Sequence, residues 1–154
     1  MEYQVRDARI TDVERIHALV EAAAIAPADA ARATLGAVDL LRQLVYLPNA
    51  VVLVADSRRT IVGAAVLALR PSVLEGGMVG TIDLLVVDAA FDGAGVTDSL
   101  LSEVLRSARN KGCVSVEATP PADPAQRARW TGHAFVEAGP RIVRDLAPAG
   151  ATRE

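Results

Sequence analysis

Polar and apolar residues alternate over Tyr3–Ile10, with Tyr3, Val5 and Ala8/Ile10 set against Gln4, Arg6 and Arg9, which predicts a strand. Thr11–Glu14 reads as a capping box, and it opens a helix with Val13, Ile16, Leu19 and Val20 on one face. Pro27 breaks that pattern. Helical spacing resumes over Ala28–Leu47 through Leu35, Val38, Leu41, Leu44 and Val45, with Gly36 a point where the helix can divide and Pro48-Asn49 its end. Val51–Ala55 and Thr60–Leu69 read as strands joined by the short turn Asp56–Arg59, and Arg70-Pro71 closes the second.

The second half opens on a β-type run, Gly80–Val87. It enters a loop with Gly93 and Gly95, then an amphipathic helix from about Gly95 to Asn110 carrying Val96, Leu100, Leu101, Val104, Leu105 and Ala108. Lys111-Gly112 places a basic residue and a glycine where a helix stops. Cys113–Ala118 is a predicted strand and Asp123–Trp130 a short helix. Ala134–Ala138 and Arg141–Leu146 read as a last hairpin around Gly139-Pro140. The order is β-α-α-β-β-β-α-β-α-β-β. A helix bracketed between Gly80–Val87 and Cys113–Ala118 makes those two strands parallel, while the hairpins make the rest antiparallel. The expected fold is therefore α/β (α+β), with a mixed sheet.

A strand, a tight glycine loop and a helix in succession aim backbone N–H groups and the positive end of a helix dipole at one spot, which suits an anion such as phosphate. The charges oppose it: Asp88, Asp92 and Asp98 lie in or beside the loop, and Gly80–Leu105 contains no Lys or Arg. Unit charges ~5 Å apart at an effective dielectric near 20 interact by roughly 3 kcal/mol, which exposure and salt reduce. The Asp side chains can also cap the N–H groups themselves, leaving no site for a ligand.

Composition narrows the class. The 154 residues are 51% apolar and 23% charged, with a net charge of −3, and so read as one folded domain over 1–147 with a flexible tail at 148–154. Basic residues are scattered, so no nucleic-acid partner is expected. No run approaches the ~18 apolar residues of a membrane span, and the N-terminal residues lack a signal-peptide core, so the expected location is cytoplasmic. Cys113 is the only cysteine. With His17 and His133 the only histidines, no metal site is expected.

The order of elements and several phrases resemble the GNAT superfamily of acyl-CoA-dependent N-acyltransferases. The phrases are VRDARITDVERIHAL at the start, Val62-Gly-Ala-Ala-Val-Leu67, Leu85-Val-Val-Asp88, and Trp130–Phe135 with Phe135-Val-Glu-Ala-Gly139. The resemblance runs from about Tyr3 to Leu146. It implies two central parallel strands that splay at their C-terminal ends, and acetyl-CoA (acyl-CoA) as co-substrate, without metal. The pantetheine arm would lie on the backbone of Leu85, Val86 and Val87, and the pyrophosphate on Gly93, Ala94, Gly95, Val96 and Thr97. The family loop reads Q/R-x-x-G-x-G/A. Here Asp92 stands in the basic or amide position and Thr97 in a small-residue position. Trp130 stands where many members carry a tyrosine acid, and an indole N–H cannot serve as an acid near neutral pH.

The resemblance also implies a general base for the amine, a carboxylate on the strand before the loop or on the next parallel one. Asp83 and Glu117 are the candidates, Asp83 in step with Leu85 and Val87, and Glu117 in step with Cys113 and Ser115. Two functions follow. One is acetyl transfer from acetyl-CoA to a primary amine by direct attack. The alternative is a non-catalytic GNAT-type domain that binds a ligand or a protein. The resemblance leaves room for a homodimer and does not specify the amine.

Overall fold

Two strands buried on both faces organise the molecule: Val52, Leu53, Val54 and Ala55 on one, Ile61–Leu67 on the other. The computed structural model describes residues 2–23, 30–91, 93–140, 142, 144 and 146. Its elements are β1 (Gln4–Asp7), a 3-10 turn (Ile10–Asp12), α1 (Val13–Ala22), α2 (Ala30–Leu44), β2 (Ala50–Ser57), β3 (Thr60–Ser72), β4 (Gly77–Val87), α3 (Gly93–Asn110), β5 (Cys113–Ala118) and α4 (Pro124–Gly132). They form one mixed sheet in the order β1-β2-β3-β4-β5. All neighbours are antiparallel except β4 and β5, which are parallel as the bracketed helix requires.

Helices cover both faces. On one, Val13, Ile16 and Leu19 of α1 and Leu41 of α2 pack on Val52, Val54, Ala64, Val66 and Val86. On the other, Val96, Leu100, Leu101, Val104 and Ala108 of α3 pack on Leu53, Ala55, Ala65, Leu67 and Ile82, with Trp130 of α4 at the margin. Each fully buried aliphatic side chain there contributes about 1.5–3 kcal/mol. Close approach of α3 depends on Gly63, where an added Cβ would lie 2.9 Å from Val96, 3.1 Å from Leu100 and 3.2 Å from the carbonyl oxygen of Val86.

Several expected boundaries move, each for a local reason. β3 continues through Arg70-Pro71, because the nitrogen of Pro71 points to the side where β2 has already ended, so no ladder bond is lost. Gly36 does not divide α2, which is one helix. α3 begins at Gly93, so Gly93–Thr97 are its first turns and not a loop. The Thr11–Glu14 box gives way to Asp12, whose carboxylate accepts the Arg9 amide at 2.8 Å. Ala134–Ala138 is not a strand: Ala134 takes φ 67°, and the amide of Phe135 donates to the Trp130 carbonyl, which folds the chain back on the end of α4. Arg141, Val143 and Asp145 of the expected second strand lie outside the described residues, as does the 148–154 tail.

Arg6 closes the β1 end of the sheet. Its guanidinium donates to Asp12 at 2.9 Å and to Asp56 at 3.1 Å. The hydrogen bond to Asp12 holds Arg6 above its ordinary pKa. Burial pushes the Asp12 carboxyl up, but the bonds from Arg6 and the Arg9 amide outweigh it and hold the carboxyl below its ordinary value of 3.8. The stability from Asp12 is thus complete above that value and lost as pH falls through the lower folded one. Asp12→Asn should cost about 1–3 kcal/mol at neutral pH. Urea unfolding from about pH 5 to pH 3 should weaken the parent more than this variant, and parallel pH dependences would contradict the assignment.

Trp130 is 9% exposed, and its ring lies 5.1 Å from that of Phe135 at 58°. Trp130→Ala should cost about 3–5 kcal/mol and Trp130→Phe much less, measured by thermal unfolding. Equal, small losses would mean the ring is not part of the core.

Candidate active site

The β4–β5 ladder ends early. Met78 pairs with Cys113, and the register runs only to Ile82 opposite Ala118. β5 then leaves through Thr119-Pro120-Pro121, where two prolines cannot donate to a ladder. β4 continues for five more residues, Asp83–Val87, held to β3 on its other side as far as Val87 opposite Gly63. The edge of Asp83–Val87 facing β5 therefore has no β5 partner. This opening contains Leu85, Val86 and Val87, and it is the splay expected of the parallel pair, although β5 is here the last strand of the sheet among the described residues.

A β-bulge sits at the mouth of the opening. Val66 pairs with Leu84 and Leu67 with Ile82, so Asp83 is the extra residue. Ile82, Leu85 and Val87 pack with the α3 cluster, Leu84 and Val86 with the α1 cluster. The extra residue puts Ile82 and Leu84 on opposite faces, contrary to the alternation read from sequence, with Asp83 between them. Asp83 is exposed, and among the described residues no hydrogen bond or ion pair engages it.

Glu117 shows the same effect. The β5 register slips between Cys113 and Ser115, which leaves Glu117 out of step with Cys113. Glu117 stands opposite Thr81. Its Oε1 accepts from the Thr81 hydroxyl at 3.0 Å and from Arg70 at 3.1 Å. Glu117 is thus tethered, while Asp83 is exposed at the bulge. Cys113 is half-buried, and burial pushes its thiol up, which disfavours the nucleophilic thiolate.

At the other end of the opening, Asp88 builds the turn into α3. Its Oδ1 accepts the Ala90 amide at 2.9 Å, and its Oδ2 accepts from Arg15 at 2.8 Å. Arg15 also donates to the Ile61 carbonyl at 3.0 Å, tying α1 to the turn. In the first turns of α3 the side chains of Val96 and Thr97 are buried, Thr97 to 2% exposure, so these residues can offer a ligand only backbone. Gly95 is engaged within the protein. Asp92 lies outside the described residues.

Asp98, one turn further, is bridged. Its Oδ2 accepts from Arg129 Nη1 at 2.8 Å, and His133 Nε2 lies 3.0 Å from its Oδ1. A carboxylate only accepts, so Nε2 carries the proton. Arg15, Arg129 and His133 are the residues that reading along the chain missed around this helix end. They lie between 31 and 73 positions from their partners, and no local pattern marks them. Among the described residues no cluster of three or more His, Cys, Asp or Glu could hold a metal ion. Open depressions of about 640 and 460 Å³ lie beside Tyr3 and Gln4. Neither is lined by any residue of the open edge Asp83–Val87.

Comparison with known proteins agrees with this geometry. Residues 15–129 match the model of the acetyltransferase (GNAT) family. A glucosamine 6-phosphate N-acetyltransferase of Trypanosoma brucei brucei is 40% identical over 57 residues, which are 36% of this chain and 39% of that protein. The match thus spans well under half the length of that relative. Among solved structures, an acetyltransferase of Trypanosoma brucei superposes with TM-score 0.71 at 24% identity, covering 94% of this chain and 100% of that one. A predicted acetyltransferase of Clostridium acetobutylicum, determined with acetyl-CoA, gives TM-score 0.76 at 14% identity over 94% and 97% of the two chains. With the family model matched from α1 into α4 and the same fold in these structures, the chain belongs to the acetyltransferase (GNAT) family.

Proposed function

We propose that this protein transfers an acetyl group from acetyl-CoA to a primary amine by direct attack. The observation that carries the reading is the β4–β5 opening with Asp83 at its mouth. A strand edge without a neighbour suits an extended ligand with its own amides, as a pantetheine arm has, because such an arm can replace the missing strand. The backbone of Leu85, Val86 and Val87 would hold it. The amino end of α3, with the backbone of Gly93, Ala94, Val96 and Thr97, would face the pyrophosphate with the positive end of the helix dipole.

The acceptor arrives as an ammonium and must lose a proton to attack. Asp83 takes that proton, the amine nitrogen bonds to the thioester carbonyl carbon, the carbon–sulfur bond breaks to release the CoA thiolate, and the second proton that the nitrogen sheds on becoming an amide passes to solvent. Trp130 is buried and supplies no acid, so the thiolate takes its proton from solvent. Glu117, tethered by Thr81 and Arg70, shapes the acceptor strip and leaves the proton transfer to Asp83. The partial match to a glucosamine 6-phosphate N-acetyltransferase makes amino sugars the first acceptors to assay. A non-catalytic binding domain is the second reading, favoured by the buried Trp130 in the acid's place.

Thermal unfolding with millimolar CoA should show stabilisation, since a ligand bound only by the folded state raises stability in proportion to the logarithm of its concentration. With a panel of amines that includes glucosamine 6-phosphate, Asp83→Asn should lower kcat about 100-fold and leave CoA affinity unchanged. Glu117→Gln should have the smaller effect. Binding of CoA without turnover on any amine would favour the binding domain, and full turnover in Asp83→Asn would remove Asp83 as the base.

A further inference from the structure

We infer that Arg70 and Thr81, gathered on Glu117 at the apex of the β4–β5 opening, select an acceptor amine that carries hydroxyl groups. The inference rests on the proposed acetyl transfer and names the class of its acceptor. Register fixes the place. Thr81–Glu117 and Ile82–Ala118 are the last pairs of the parallel ladder before β4 and β5 part. Asp83, the proposed base, follows Thr81 by two residues, about 7 Å along the strand. Arg70 reaches the same spot from β3, where Leu69 packs with the α3 cluster and alternation sends Arg70 to the other face. Ala68, directly opposite Thr81, is exposed on that face and too small to cover the group.

Charge decides what this group can take. Glu117 Oε1 accepts from Arg70 Nη2 at 3.1 Å and from the Thr81 hydroxyl at 3.0 Å. Arg70 and Glu117 cancel, and Asp83 leaves the apex with one negative charge. An anionic arm on the acceptor would therefore meet net repulsion. An aliphatic arm would strip water from Arg70 and Thr81 without replacing its hydrogen bonds. A hydroxyl both donates and accepts. The bond to Glu117 uses one of the five N–H donors of Arg70, whose side chain is 53% exposed. The Thr81 oxygen still accepts while its proton is donated to Glu117. Adjacent hydroxyls on the acceptor can take a bond from Arg70 and give one to Thr81, with the ammonium left for Asp83.

Steady-state acetylation of glucosamine, its 6-phosphate and cyclohexylamine by the parent, Arg70→Ala and Thr81→Val tests this. Glucosamine and cyclohexylamine share a ring and an amine and differ in their hydroxyls. The parent should favour glucosamine in kcat/KM, and each variant should lower that preference about tenfold, through KM for the sugar. A parent indifferent to the hydroxyls, or variants that lose activity equally on both amines as a merely structural ion pair would, overturns the inference. A loss confined to the 6-phosphate would mean that Arg70 reads an anion, and overturns it too. A parent that binds CoA and acetylates no amine would instead remove the acetyl-transfer reading, and this inference with it.

Discussion

The parting of β4 from β5 is the constraint on which the rest of the site depends. A parallel ladder holds the strands together from Met78 to Ile82 and then stops, because β5 turns off into two prolines while β4 remains bound to β3. The strand edge left open could not persist inside a core without partners, since unpaired backbone groups cost free energy when buried. Here it lies beside a bulge at which Asp83 is exposed.

The remaining architecture keeps that irregularity in place. β2 and β3 are buried on both sides and act as the rigid centre. Gly63 lets α3 approach β3 directly opposite Val87, at the end of the open edge. Arg15 binds α1 to the turn after β4, and Trp130 fixes α4 against the α3 cluster. Because Trp130 is committed to packing against Phe135, the position that a tyrosine acid often occupies in this family serves stability here.

Charge around the amino end of α3 is balanced in space, not along the chain. Asp88 and Asp98 each meet an arginine at 2.8 Å, from α1 and from α4 respectively. Each pair is partly exposed, so its value to stability is modest.

By itself the sequence determined the periodicities, and with them the order of the central elements: β4, α3 and β5 are each apolar in the right period, and a helix between two strands forces them parallel. It also carried the phrases that resemble the family and the reading of Trp130 as a packing residue. Tertiary structure alone decided which way the chemistry points. A period-two pattern has no mark for one inserted residue, and because Leu84–Val87 are all apolar the slip at Asp83 leaves no trace, yet it reverses the face of every side chain beyond it. The same slip in β5 moved Glu117. The partners of Asp88 and Asp98 were equally illegible, because an ion pair depends on distance in space, and the chain separates those residues by 73 and 31 positions. The hairpin read at Ala134–Ala138 did not form, because alternation states only that a strand is affordable; an edge to pair with is decided by where the preceding helix leaves the chain.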